Sequence, residues 1–270
     1  MVSLKTISDI GKRIRESLSL RTYPLGIKFY KDAYKTEEMM MNINVRRPLK
    51  DFGVRMALCQ VINISRTYKL ALGISAEDMW CTYGALAMGL LDEFPEYLIA
   101  ETSKWHAKDD AVGKVIWEAL KEKFLPLKSI HALVISPLET IRFEPDVIIV
   151  YGSPAQISKI AKAFTWHGIF PEAKFVGLVA CSSISSTYLK DKPQFNMPCS
   201  GEWIVGRTEE DEIGIVFPAK NIGDVLEGLE GTKIIFPYPP PKFSLYEPRG
   251  PEGYKITYKD YIEWKTRKGT

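Results

Sequence analysis

Four cysteines constrain this chain more than any other feature: Cys59, Cys81, Cys181 and Cys199. They are separated by 21, 99 and 17 residues, and none belongs to a Cys-x-x-Cys pair. Three lie in short polar turns with a small residue close behind, in Cys81-Thr-Tyr-Gly84, Cys181-Ser-Ser and Pro198-Cys199-Ser-Gly201. A cysteine kept only as a small hydrophobe belongs on an apolar face. A cysteine on a turn presents its sulfur to something. If the four serve one purpose, the fold must carry four remote segments to a common place.

The 270 residues, 46% of them hydrophobic, suffice for one large core or for two lobes with a cleft. A net charge of +3 lacks the basic excess that marks a phosphate-binding surface, so no nucleic-acid partner is expected. Met1-Val-Ser-Leu-Lys5 has no apolar signal core. No apolar run approaches the roughly 20 residues that span a bilayer. The reading is a cytoplasmic protein without a membrane segment. Three Gln and five Asn beside many Lys, Glu and Ile point to a thermophile. That origin matters, because intracellular proteins of hyperthermophiles do form disulfides. Two disulfides, a metal or cluster site, and four unlinked thiols all stay open on composition.

Along the chain, Leu4, Ile7, Ile10, Ile14 and Leu18 recur at helical spacing behind Ser3, a suitable N-cap. Strands are predicted at Leu25–Tyr30 and Leu70–Ile74. Helices are predicted at 56–68, 85–91, 93–102 and 110–123. Residues 35–55, with Met39-Met-Met41 and Arg46-Arg-Pro-Leu-Lys50, read as a loop or short helix. From about residue 130 the texture changes to strands alternating with helices: strands at His131–Ser136, Asp146–Tyr151, Lys174–Ala180, Glu212–Phe217 and Lys233–Phe236, and helices at Pro154–Trp166 and Lys220–Leu229. Asp146 to Pro154-Ala155 and Glu212 to Pro218-Ala219 echo each other as two β-α-β units. The fold class is therefore α/β to α+β, with a helical first half packed on a mixed sheet. The chain reads as a single domain of two lobes, a mainly helical one (1–128) and a mixed-sheet one (129–236). An extended, proline-rich arm (237–270) follows and ends in a short helix at Tyr258–Lys265. Docked on its own domain the arm is ordinary; docked on a second subunit it makes a homo-oligomer.

Dinucleotide and P-loop fingerprints, H-E-x-x-H and the G-x-S-x-G elbow are absent. His106, His131 and His167 are widely spread, and a lone histidine is more often structural. Lys28 on a strand reads as a solvated residue, or as a cation beside an anionic cluster. Arg46, Arg47, Lys50 and Arg55 read as a solvated loop, or as an anion site next to Cys59. Glu139 and Asp146 cap turns, or act as an acid and base pair. Ser182, Ser183, Ser185 and Ser186 cap a helix, or aim its N-terminus at an anion. Four thiolates suit a tetrahedral zinc or a cubane iron–sulfur cluster, both soft-ligand sites. Their spacing matches no ferredoxin or zinc-ribbon ladder, and on spacing alone buried thiols or disulfides explain them as well.

Several segments together resemble the uncharacterised family called domain of unknown function 169, of archaea and anaerobic bacteria. They are Pro24-Leu-Gly-Ile-Lys-Phe29, Leu58-Cys59-Gln60, Cys81-Thr-Tyr-Gly84 with Ala87-Met-Gly89, Ser136-Pro-Leu-Glu139 with Phe143-Glu-Pro-Asp-Val147, Pro154-Ala-Gln156, Ala180-Cys181 and Cys199-Ser-Gly201. The resemblance implies four recurring cysteines, all filled here, and so a shared sulfur site. It supplies no reaction. Where the family continues its fourth cysteine with Asp-Gly-Ser-Arg or similar, this chain has Ser200-Gly-Glu-Trp203. The resulting expectation is an iron–sulfur cluster, a [4Fe–4S] cubane, held by Cys59, Cys81, Cys181 and Cys199 in a redox or electron-transfer role, with a small molecule or a redox protein as partner. The alternative is a module binding a small ligand or a protein, stapled by zinc or disulfides.

Overall fold

The computed structural model describes residues 3–233, 237–240, 253, 255 and 257–268, apart from the side chain of Lys35. In chain order the elements are α1 (Leu4–Ser17), β1 (Leu25–Tyr30), α2 (Ala33–Asn42), α3 (Pro48–Phe52), α4 (Leu58–Tyr68), β2 (Leu72–Ser75), α5 (Thr82–Ala87), α6 (Tyr97–His106), α7 (Asp110–Lys121), β3 (Ala132–Pro137), β4 (Val147–Gly152), α8 (Pro154–Trp166), α9 (Ser182–Lys190), β5 (Gln194–Asn196), α10 (Ser200–Ile204), β6 (Ile213–Pro218), α11 (Ile222–Thr232) and α12 (Tyr258–Lys268). Short 3-10 turns follow β2, β3 and β6.

Local chemistry sets many of these boundaries. Ser3 caps α1 by accepting from the Thr6 amide at 3.2 Å. Ser153 and Gln156 form a reciprocal capping box on α8, in which the Ser153 amide donates to Gln156 Oε1 at 2.7 Å. The strands alternate in the way a doubly covered sheet requires. Leu25, Ile27 and Phe29 of β1 face one apolar core beneath α4, α5 and α9. On the opposite face, Val134 of β3 and Ile148 of β4 meet α1, α8 and α11.

Among the described residues, six strands lie in the order β2-β3-β1-β4-β6-β5. Every neighbouring pair is antiparallel. The mixture of helices and strands is thus as expected, but among the described residues no parallel crossover of the two β-α-β units is formed. β4 and β6, the first strands of those units, are direct antiparallel neighbours, with Val147 opposite Pro218 and Gly152 opposite Ile213. The reason is the predicted return strand at Lys174–Ala180. Gly177 (φ 77°) and Val179 (φ 49°) adopt left-handed backbone there, and no strand can run through them. The stretch is a loop, and the return is made by the short β5. Residues 39–41, left between loop and helix on sequence, lie within α2. Of the strand predicted at Lys233–Phe236, Lys233 caps α11, and the other three residues lie outside the described set. So does most of the arm. Its Tyr238 packs against the α1/α8/α11 core. Among the described residues no helix is long and apolar enough to cross a membrane.

The sheet repeats itself about its middle. Leu25 of β1 opposes the closing proline of β3, Pro137, as Val147 of β4 opposes that of β6, Pro218. β2 and β5 add at the two outer edges in the same register, Leu72 opposite Ile135 and Gln194 opposite Val216. At the seam, Leu25 faces Ile149, Gly26 faces Ile148 and Ile27 faces Val147, a pairing that reads alike from either side. The echo between Asp146 and Glu212 is not this repeat.

Candidate functional site

All four cysteines line one cavity of about 150 Å³ with mainly apolar walls, together with Leu58, Tyr83, Gly84, His106, Val179, Gly201 and Glu202. The site lies on the β1 Ile27/Phe29 face of the sheet, where Cys181 packs against that core. Each cysteine opens a helix. Cys59 is the second residue of α4, and Cys81, Cys181 and Cys199 are the N-caps of α5, α9 and α10. The Tyr83 and Gly84 amides act on the Cys81 sulfur, and α4 and α9 are long enough to add a favourable dipole at their N-terminal ends.

All four are free thiols, so the disulfide alternative is not realised. Cys59 Sγ approaches the carbonyl of Gly201 at 3.6 Å, and a Cβ built on Gly84 would lie 3.8 Å from Cys181 Sγ. All four side chains contribute to the cavity wall. Among the described residues, no group of three or more His, Cys, Asp or Glu side chains is placed so as to hold a metal ion. Burial dominates the titration of the thiols. It pushes Cys59 up to about 12, with the carboxyl of Glu202 and the thiols of Cys81 and Cys199 adding to it. Cys181 is raised well above its ordinary value for the same reason. Burial also raises Cys81, against the amides of Gly84 and Tyr83, which favour its thiolate. A lone nucleophilic cysteine needs the opposite shift.

Of two further wall residues, Glu202 is not singled out by the sequence and His106 is read from it as a structural histidine. Glu202, only 2% exposed, accepts from Tyr151 Oη at 3.0 Å and from Asn196 Nδ2 at 3.3 and 3.2 Å. Burial raises its pKa, against the pull of Asn196, Tyr151 and the Arg66 guanidinium. Arg66 stacks 4.4 Å over the Tyr151 ring and donates to Glu212 at 2.8 Å, an ion pair with both side chains buried. His106 ends α6 at the cavity wall. Its α6–α7 hairpin is anchored on α5 through Tyr83 Oη and Thr102 Oγ1, 3.1 Å apart. The only early sign of Glu202 was the departure from the family pattern behind Cys199. His106, read as structural from its isolation in the sequence, reaches the cavity wall only through the fold.

The other residues weighed on sequence serve the scaffold. Lys28 projects to the far face of the sheet and donates to Asp146 at 2.7 Å. Asp146 also accepts from the Phe29 amide at 2.8 Å. Glu139 is held below the usual carboxylate range. Burial pushes it upward, but Arg15 and Lys69 outweigh that. Arg47 binds Asp78, Ser75 and Glu37, while Arg46 pairs with Asp51 and Arg55 with the Glu77 carbonyl. These contacts fix the turn that leads into Cys81. Ser182, Ser183, Ser185 and Ser186 are buried in the first turns of α9, and Ser183 Oγ donates to Asn196 at 2.8 Å.

The profile of the family DUF169, described as uncharacterised ArCR, matches residues 13–228. The uncharacterised protein MJ0308 of Methanocaldococcus jannaschii is 26% identical over 181 residues, covering 64% of this chain and 75% of its own. No solved structure matches at a significant level. A profile spanning most of the chain, from α1 into α11, places it plainly: the protein belongs to the DUF169 family.

Proposed function

We propose that Cys59, Cys81, Cys181 and Cys199 hold an iron–sulfur cluster, a [4Fe–4S] cubane, and that the protein works in electron transfer or a redox step. The observation that carries this reading is the meeting of four cysteines from four remote segments on one cavity. A cubane asks one thiolate of each of its four iron corners, so its ligands surround a body instead of converging on a single ion. Such a cluster, when bound, takes up and gives back an electron. The chain's part is to supply the thiolates, to direct helix N-termini at an anionic guest, and to keep it in an apolar wall. The buried thiols must each lose a proton on loading, so loading is favoured by rising pH.

Protein purified without oxygen, or reconstituted with iron and sulfide, is expected to be brown, with iron and sulfide in equal amounts. Colourless protein lacking both after reconstitution sinks the proposal. A second reading is a cavity for a small apolar ligand. It is favoured by the absence, among the described residues, of a group placed to hold a metal ion. It predicts the colourless outcome, with four titratable thiols.

A further inference from the structure

The repeat in the sheet extends far beyond hydrogen-bond register. Leu25 and Val147, Cys59 and Cys181, Lys69 and Asp191, and Leu72 and Gln194 are each 122 positions apart. Over that shift the backbone repeats. α4 and α9 both end on a left-handed residue, Lys69 (φ 59°) and Asp191 (φ 54°), whose amides bond the carbonyls of Ser65 and Thr187. Each outer strand is bridged by one residue of a preceding loop, Arg46 on Leu72 and Glu172 on Gln194. Side chains repeat too. Arg66 stacks on Tyr151 as its counterpart Tyr188 stacks on Phe29, the counterpart of Tyr151. Lys69 pairs with Glu139, two residues past Pro137, while Asp191 pairs with Lys220, two residues past Pro218. The contact is kept and its charges are reversed.

The cysteines obey the same rule. Cys59 and Cys181 start the helix before each outer strand, and Cys81 and Cys199 cap the short helix after it. The two halves also cross over one another, since α5 packs on α9 and α10 on α4. We infer that the chain is an internal duplication whose sulfur site lies on the seam, and that the site takes one ligand shared by both halves, with two thiolates from each. The identity of that ligand rests on the iron–sulfur reading above; the sharing rests on the backbone repeat. For a cubane, two thiolates from each half leave no iron corner free. A cubane held in this way would offer substrate no open iron, which suits electron passage.

The test uses the full chain. Reconstituted wild type should carry one four-iron cluster, and the double variants C59S/C81S and C181S/C199S should each reduce iron and visible absorbance to background. Either double variant retaining the wild-type spectrum and iron content overturns the sharing. Because a serine pair could unfold the chain, the iron-free wild type is also treated with dibromobimane, which links neighbouring thiols. Peptide mapping should find a link between the halves, with Cys81–Cys181 foremost. Links confined to Cys59–Cys81 and Cys181–Cys199, or no links, overturn it. A wild type that binds no iron defeats the iron–sulfur reading alone, and the dibromobimane map then decides the sharing.

Discussion

The Cys59 thiol shows how a buried site stores its own pH dependence. Its pKa rises from an ordinary 9.0 to about 12 through burial, so the folded chain holds this proton more tightly than the unfolded one. The stabilisation is fully present below pH 9 and is lost as the pH climbs toward 12. Cys81 and Cys181 are shifted in the same direction. The urea midpoint of iron-free protein should therefore fall across that window, and Cys59→Ala should flatten the fall; a midpoint indifferent to pH there contradicts the burial argument. The pair beneath the site is more costly to break. Glu212→Gln leaves the buried Arg66 guanidinium with a neutral partner. A loss of about 3–5 kcal/mol is expected by analogy with broken buried pairs, read from denaturant melts. A loss below about 1 kcal/mol would mean that water reaches Arg66.

At the scale of elements, α8 and α11 lie so close that a Cβ on Gly228 would sit 2.5 Å from the Ala163 carbonyl oxygen. Gly228→Ala should cost about 1–3 kcal/mol, since backbone cannot step aside. Gly223, in the same helix, has open space around it and should gain about 0.5–1 kcal/mol as alanine. Thermal melts of the two variants should move in opposite directions, and shifts of the same sign refute the packing described. Elements with strong periodicity were legible in the sequence: α1, α8, and the apolar strands β1, β3, β4 and β6. Phe175-Val-Gly-Leu-Val179 has the composition of a strand, but its backbone turns left-handed at Gly177 and Val179, which composition does not register. β5 was missed because Gln194-Phe-Asn196 is three residues long and owes its strand to pairing with β6. The cysteines announced themselves through their turns. Glu202 and His106 acquire meaning only when α10 and α6 reach the same cavity. The duplication stayed hidden because its signal lies in register and caps, while few side chains match across the shift.

For the whole molecule, a ligand on the seam ties the two halves together. Whatever binds only the folded chain stabilises it in proportion to the logarithm of its free concentration over Kd. Stripping iron with a chelator should lower the melting temperature. It should also speed amide exchange in α4, α5, α9 and α10 together; faster exchange in one half alone would speak against a bridging ligand.

The reversed ion pairs carry a last consequence. Two identical chains meeting on an axis must place the same residue on both sides, so neither can hold lysine where its mate holds aspartate. Lys69 and Asp191 do so because one gene now encodes both copies. The α6–α7 hairpin, carried by the first copy only, is the larger expression of the same liberty. Either copy can acquire a new task while the other keeps the old geometry in place.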